Sequence, residues 1–301
     1  MIEKRRTINH LHEWPTWVVI AAVYSLWCIV LLNFHSIPWS PLWLTLILGF
    51  HGSVQHELLH GHPTSKQSLN DLIAYPPLSL WYPYPIYKKT HLKHHENADL
   101  TIPGVDPESY FINQEVWAGM SRTAKLVATV NMTVVGRLLF APFWHLLGLK
   151  KKMFQSIRSR DQQRNTWLLH ELFCLVIMLV VVIFFNVNIL TYIACSYFAQ
   201  SSTLLRSFYE HRVVEIPEHR SVIVKSCLPF RLLFLNNNFH AVHHQNPGMS
   251  WFKLGGEYYS KSGYYDEQNG HFVERGYWQW LSKYILKPVS NPVHPGLVKS
   301  D

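Results

Sequence analysis

The stretch TWLLHELFCLVIMLVVVIFFNVNILTYIACSYFAQSSTLL, residues 166–205, decides the fold. From Asn165 to Leu205 there is neither Lys nor Arg, and the apolar run is interrupted by Asn186 and Asn188. A helix needs about 20 predominantly apolar residues to cross a bilayer, so the stretch holds two spans, 166–185 and 187–205, folded into a hairpin. A second pair lies upstream at 14–32 and 41–59, again with no Lys or Arg from Trp14 to His56. The links inside both hairpins lack positive charge, and all 27 Lys and Arg fall in the N-terminal tail, the central segment or the C-terminal segment. The positive-inside rule then places both termini and the centre in the cytoplasm.

The expectation is an all-α integral membrane protein. Four transmembrane helices in two hairpins would carry a cytoplasmic helical cap, residues 60–165 and 206–301, in a single domain over 1–301. The stretch 126–149 is apolar but contains Asn131, Arg137, Pro142 and His145, which a lipid-facing span avoids. It reads as interfacial, because a fifth span would separate the central and C-terminal segments. After the second span, Pro76, Pro77, Pro83 and Pro85 interrupt regular structure, and Trp81, Tyr82, Tyr84 and Tyr87 suit the headgroup level.

Composition agrees, with 48% apolar and only 15% charged residues. The net charge of +8 forms no basic stripe interleaved with aromatics, which argues against nucleic-acid binding. Cys28, Cys174, Cys195 and Cys227 show no CxxC spacing and read as small core residues in a reducing compartment. The N-terminal Lys4, Arg5 and Arg6 precede a run long enough to remain as a span, so no cleavable signal is expected.

Histidine carries the chemistry. HELLH supplies His56 and His60, HLKHH supplies His91, His94 and His95, and HAVHH supplies His240, His243 and His244. With 19 His in 301 residues, chance gives about 0.07 HxxHH matches, and two are present. Neutral imidazole suits iron, zinc, copper and nickel. Eight histidines exceed what one metal takes, so a two-metal site with about four each fits better. The four-span topology brings all three groups to one membrane face.

Those three boxes, in this order between paired spans, resemble the membrane fatty acid desaturase and hydroxylase superfamily over about 14–251. The resemblance implies a di-iron centre with O2 as co-substrate, and zinc is able to replace iron in purified protein. It adds His211, in LLRSFYEHR, as a further ligand after the last span. Similar acyl-CoA desaturases hold a metal-bound water with an Asn one helical turn before that His, where this chain has Ser207.

Metal-bound His usually donates its second nitrogen to a carboxylate or carbonyl, so Glu57, Glu210, Asp99, Asp106 and Asn238 are candidates to orient the ligands. Asn236 and Asn237 also precede the last box. His62, between Gly61 and Pro63, reads as structural, and His10, His12, His51 and His170 as ordinary packing or interfacial residues. No GxGxxG, CxxCH or Fe–S cysteine set is present. Electrons would come from a separate ferredoxin, rubredoxin or cytochrome-type donor that the basic face could steer. The expected reaction is desaturation of a lipid acyl chain. Alternatives are a hydroxylase or ketolase of carotenoids or other long apolar molecules, and a membrane metal-binding or transport protein. The expected location is multi-pass, in the inner membrane if the source is bacterial, with a cytoplasmic active site.

Overall fold

The computed structural model describes residues 12–296; His10 lies outside them. Contacts gather the chain into two compact units, one made of residues up to Lys88 with Pro142–Thr203, the other of Lys89–Ala141 with Leu204 onward.

The first unit holds the long helices α1 (Trp14–Leu32) and α2 (Ser40–Leu59), the short α3 (Gln67–Ala74), the start of α4 (Tyr84–His95), and later the body of three more helices. Pro15 and Pro41 sit in the first turns of α1 and α2, where a missing N–H leaves no bond unmade. Gly61, at φ 98°, ends the run of α2 in the left-handed conformation that glycine adopts without a Cβ clash.

Four small helices or helix starts of the second unit, the end of α4, α5 (Gln114–Gly119), α6 (Arg122–Val130) and α7 (Val134–Leu139), separate this part from α8 (Ala141–Ser159), α9 (Arg164–Ile183) and α10 (Ile189–Ser207). Within the first unit, α1 joins α10 through the Trp27 indole N–H, which donates to the Tyr192 hydroxyl at 3.0 Å; that hydroxyl donates on to the Leu78 carbonyl at 2.7 Å. At Gly49 of α2 a Cβ would come 2.9 Å from Ser202 Oγ of α10, so a small residue sets how closely these helices approach. Trp167 of α9 packs with Ile86, Leu149 and Met153.

All four expected spans are therefore single helices, each within about two residues of its expected ends. Two of them, α1 and α9, are long and apolar enough to cross a membrane unaided. Only 33% and 22% of their apolar windows are buried, and Trp17, Leu26 and Ile29 on α1 and Leu172, Leu175 and Leu179 on α9 face outward. An apolar exterior of this extent belongs against lipid rather than water: the chain is that of a membrane protein. Helices α2 and α10 carry more polar residues, Gln55, His56 and Glu57 on α2 and Gln200 to Ser202 on α10. The stretch 126–149 is no continuous helix, for it breaks between α6 and α7 and again at Phe140. Thr133 enforces the first break by accepting the Gly136 N–H at 3.0 Å through its hydroxyl.

The second unit continues with α11 (Leu228–Leu233), α12 (His240–Gln245), α13 (Trp251–Ser260), α14 (Ser262–Gln268) and α15 (Tyr277–Lys283). The all-α expectation needs one correction: β1 (Ile223–Val224) and β2 (Val273–Glu274) form a short parallel pair in a mostly helical chain. This pair serves the site. A six-residue helix is unstable alone, and α12 is tied to the β1 segment by Val224 N–H to Asn238 O and Ala241 N–H to Val222 O. Ile223, Phe239, Val242, Leu254, Tyr258 and Tyr265 close a buried cluster beneath it.

Candidate metal centre

In the second unit, α4 presents His91, His94 and His95, and α12 presents His240, His243 and His244. On a helix, i and i+4 lie about 40° apart, whereas i+3 falls on the other side of i. His91 and His95 share an edge, with Nε2 atoms 3.0 Å apart, and Nε2 of His243 joins them 3.1 Å from that of His95. His240 and His244 share the matching edge of α12, 3.1 Å apart. His211 Nε2 lies 3.1 Å from those of His240 and His94. Each HxxHH is thus divided two and one, in opposite senses, between two clusters. The clusters abut, with the His95 and His244 rings stacked at 4.2 Å between centroids.

The other ring nitrogens are held from outside. His94 Nδ1 is 2.8 Å from Asp106 Oδ1, His91 Nδ1 is 2.9 Å from Glu108 Oε1, and His240 Nδ1 is 3.1 Å from Asn237 Oδ1. Asn237 has its Nδ2 donating to Glu210 at 3.1 Å, which fixes its oxygen toward His240. A carboxylate or amide oxygen only accepts, so each of these three rings donates from Nδ1 and, when neutral, presents a bare lone pair at Nε2. His211 Nδ1 faces the Ser221 hydroxyl at 3.2 Å.

That arrangement tests whether a metal fits. His94 and His240 both aim bare lone pairs at His211 Nε2, which has at most one proton to donate. At least one buried acceptor pair is left in repulsion unless a cation lies among them. Metal–imidazole bonds of about 2.0–2.1 Å separate neighbouring nitrogens by about 2.8–3.4 Å between octahedral and tetrahedral angles, a range that includes the 3.0–3.1 Å seen here. The donor set fits a transition metal that accepts imidazole.

Electrostatics agree. Burial and the neighbouring rings push the His211 pKa down to about 3 and those of His240 and His244 well below the usual value, so the three stay neutral donors. For His94 burial acts in the same direction, but the Asp106 hydrogen bond and nearby carboxylates outweigh it and raise the pKa. Asp106 is held below the usual carboxylate range: burial opposes ionisation, and the His94 bond with the amides of Thr101 and Glu108 more than offsets it. Glu210, bonded by Arg206 at 3.0 Å and 3.5 Å from His240 Nδ1, is raised by burial. A cavity beside this cluster is lined by His94, Asp106, Tyr110, Ser207, Glu210 and His211.

The remaining candidates are placed as follows. In the first unit, His56 and His60 lie at the end of α2 with ring centroids 4.8 Å apart. Glu57 is 4.0 Å from His62 Nε2, and His62 Nδ1 bonds Glu13 at 3.1 Å, a buried group within ligand reach of a cation. His170 bonds the Leu80 carbonyl and His51 packs edge-on to Tyr24. In the second unit the Asp99 carboxylate joins neither histidine cluster. Asn238 does not reach a ring either, since its Nδ2 donates to the Val224 carbonyl at 2.7 Å; its neighbour Asn237 takes that place. Sequence reasoning missed Glu108 and Ser221. Glu108 had one available signal, its position two residues after Asp106 in a turn leaving the HLKHH helix; Ser221 had none.

A mostly helical chain with lipid-facing apolar helices and oriented imidazole clusters that could hold metal defines a histidine-rich membrane protein. The family model described as fatty acid desaturase matches residues 32–275, and the chain belongs to that family. Membership makes it an oxidoreductase of the desaturase and hydroxylase kind, a family that typically uses two irons. No curated protein matches the chain by sequence.

Proposed function

We propose that the protein is an O2-dependent di-iron desaturase that introduces a double bond into a fatty acyl chain of a lipid. The observation that carries this reading is the cluster of His94, His211, His240 and His244, whose Nε2 atoms converge while partners outside orient the rings. We assign that set to one metal, and His91, His95 and His243 to the other. His56 and His60 complete the second set on the strength of the HELLH motif and family membership. The bound iron pair supplies activation of O2 for removing hydrogen from an unactivated carbon chain, chemistry beyond side chains alone. The overall reaction takes two hydrogen atoms from adjacent carbons, two electrons from the donor and two protons from solvent, and reduces O2 to two waters.

The chain's own residues do the positioning. Asp106, Glu108 and Asn237 hold the Nδ1 protons of His94, His91 and His240, which keeps each Nε2 available and aimed. Such partners are worth about 10–100-fold in metal affinity or activity. Electrons arrive from a separate ferredoxin, rubredoxin or cytochrome-type protein. In this reading α1, α2, α9 and α10 all cross the bilayer, the centre is cytoplasmic, and α6 to α8 lie at the interface. The outward Phe143, Trp144 and Leu147 on α8, followed by Lys150 to Lys152, support that last placement.

The test is expression in a host lacking desaturation, with lipid profiling by mass spectrometry for the wild type and His94→Ala. A product two hydrogens lighter, absent from the variant, is expected. Gain of one oxygen would identify the hydroxylase alternative, and an unsaturated product that persists in the variant would overturn the site.

A further inference from the structure

Arg137 was marked by the sequence as out of place beside lipid, and the desaturase reading leaves it without a role. It lies on α7, is 4% exposed, and its Nε and Nη2 are buried with no hydrogen-bond partner. The guanidinium stacks on the Tyr110 and Phe208 rings, 4.4 and 4.8 Å from their centroids. Its place is fixed: a Cβ at the preceding Gly136 would overlap the Val130 carbonyl, so α7 is pressed against the end of α6 as only glycine permits. Tyr110 is not a counterion, because burial raises its phenol to about 12, and the phenol donates to the Phe208 carbonyl at 2.6 Å. Burial lowers Arg137 only to about 10, so it remains cationic at neutral pH.

Contact with the two aromatic faces offsets only part of the cost of burying a charge whose N–H groups have no acceptor. Among the described residues no carboxylate pairs with Arg137; Glu210, sensed by Tyr110, is taken by Arg206 and Asn237. The described residues thus offer the guanidinium no anion, and its place calls for one. The surface beside it is apolar, with Leu139 and Phe140 outward at the end of α7, which favours an amphiphile over a free aqueous ion. Tyr110, under the guanidinium, also lines the cavity that holds His94 and His211.

We propose that Arg137 is an anchor for the oxyanion of a lipid, a fatty carboxylate or a lipid phosphate, gripped by the planar fork of the guanidinium. That the lipid is the acyl substrate rests on the desaturase reading; the anion site itself does not.

The test is thermal unfolding of the metal-loaded full-length protein. Oleate is compared with oleyl alcohol in neutral detergent, and dioleoyl phosphatidate with dioleoyl phosphatidylcholine in nanodiscs. Oleate or phosphatidate should raise the wild-type Tm by several degrees more than its neutral or zwitterionic counterpart. Which of them does so identifies a carboxylate or a phosphate. Arg137→Met should abolish this excess while keeping the response to oleyl alcohol, and Arg137→Lys should retain only part of it. Without ligand, Arg137→Met should be at least as stable as the wild type, since it removes an uncompensated charge.

The proposal is overturned if neither anion exceeds its counterpart on the wild type, a result that needs no variant. It is equally overturned if Arg137→Met keeps the excess, or fails to fold because its own chain already satisfies the guanidinium. An anion effect in a protein that forms no unsaturated lipid would leave the site standing and remove the acyl reading.

Discussion

His94 and His62 are both buried, and each bonds a buried carboxylate through Nδ1, Asp106 at 2.8 Å and Glu13 at 3.1 Å. The first belongs to the second unit and the other to the first unit. What differs is the far side of each ring. Beyond Nε2 of His94 stands another imidazole nitrogen at 3.1 Å, whereas beyond Nε2 of His62 stands a second carboxylate, Glu57, at 4.0 Å. A ring facing other lone pairs calls for a cation at Nε2; His62 instead donates from Nδ1 to one carboxylate and has a second at ion-pair distance, 4.0 Å, beyond Nε2. A buried His–carboxylate pair is therefore no ligand signature by itself, and the surroundings of the second nitrogen decide its role.

The sharpest way to break this comparison is to delete each ring. His94→Ala and His240→Ala should lose metal and bring product formation below detection, whereas folded His62→Ala should keep the wild-type metal content by elemental analysis. Metal loss in both rings' variants would erase the distinction. Next comes Glu13→Ala, which removes one partner of a buried pair and should lower stability by about 3–5 kcal/mol, read as the denaturant midpoint, with metal stoichiometry unchanged in the folded fraction. Asp106→Asn keeps the shape but weakens the hold on His94, and metal affinity should fall about 10–100-fold in a chelator competition.

The smallest effect belongs to a half-buried counterpart, Asp71 with Lys88 at 2.8 Å. Burial favours the neutral acid, yet hydrogen bonds from Lys88, Gln67 and Tyr84 lower the Asp71 pKa. A carboxyl lowered in the folded state adds stability above its unfolded pKa and loses it as pH falls through the folded one. Asp71→Asn should thus cost about 1 kcal/mol or less at neutral pH, because the half-buried pair is partly screened by solvent. The gap to wild type in a Tm series should close below about pH 4.

Helix existence and the histidine boxes were legible because both depend on local spacing. The run at 14–32 gives α1 with the same ends, and HLKHH and HAVHH both fall on helices. Asp106 was legible as a partner and Glu210 as a neighbour of the site. Asn238 was read where Asn237 acts, because adjacent residues differ in direction only once the turn before α12 is fixed by β1. The break at 131–133 was visible only as a set of ill-placed polar residues, since the Thr133 cap depends on a backbone already turned.

By itself the sequence determined which segments are apolar enough to be helices in lipid and which residues offer imidazole, for these follow from composition and a 3.6-residue period. Tertiary structure alone decided how each HxxHH divides between two clusters and which oxygens hold the outer nitrogens. The orienting oxygens lie from 3 residues away, Asn237 and His240, to 17, Glu108 and His91, and cluster rings up to 148 apart, His95 and His243. No local period encodes such distances; packing sets them.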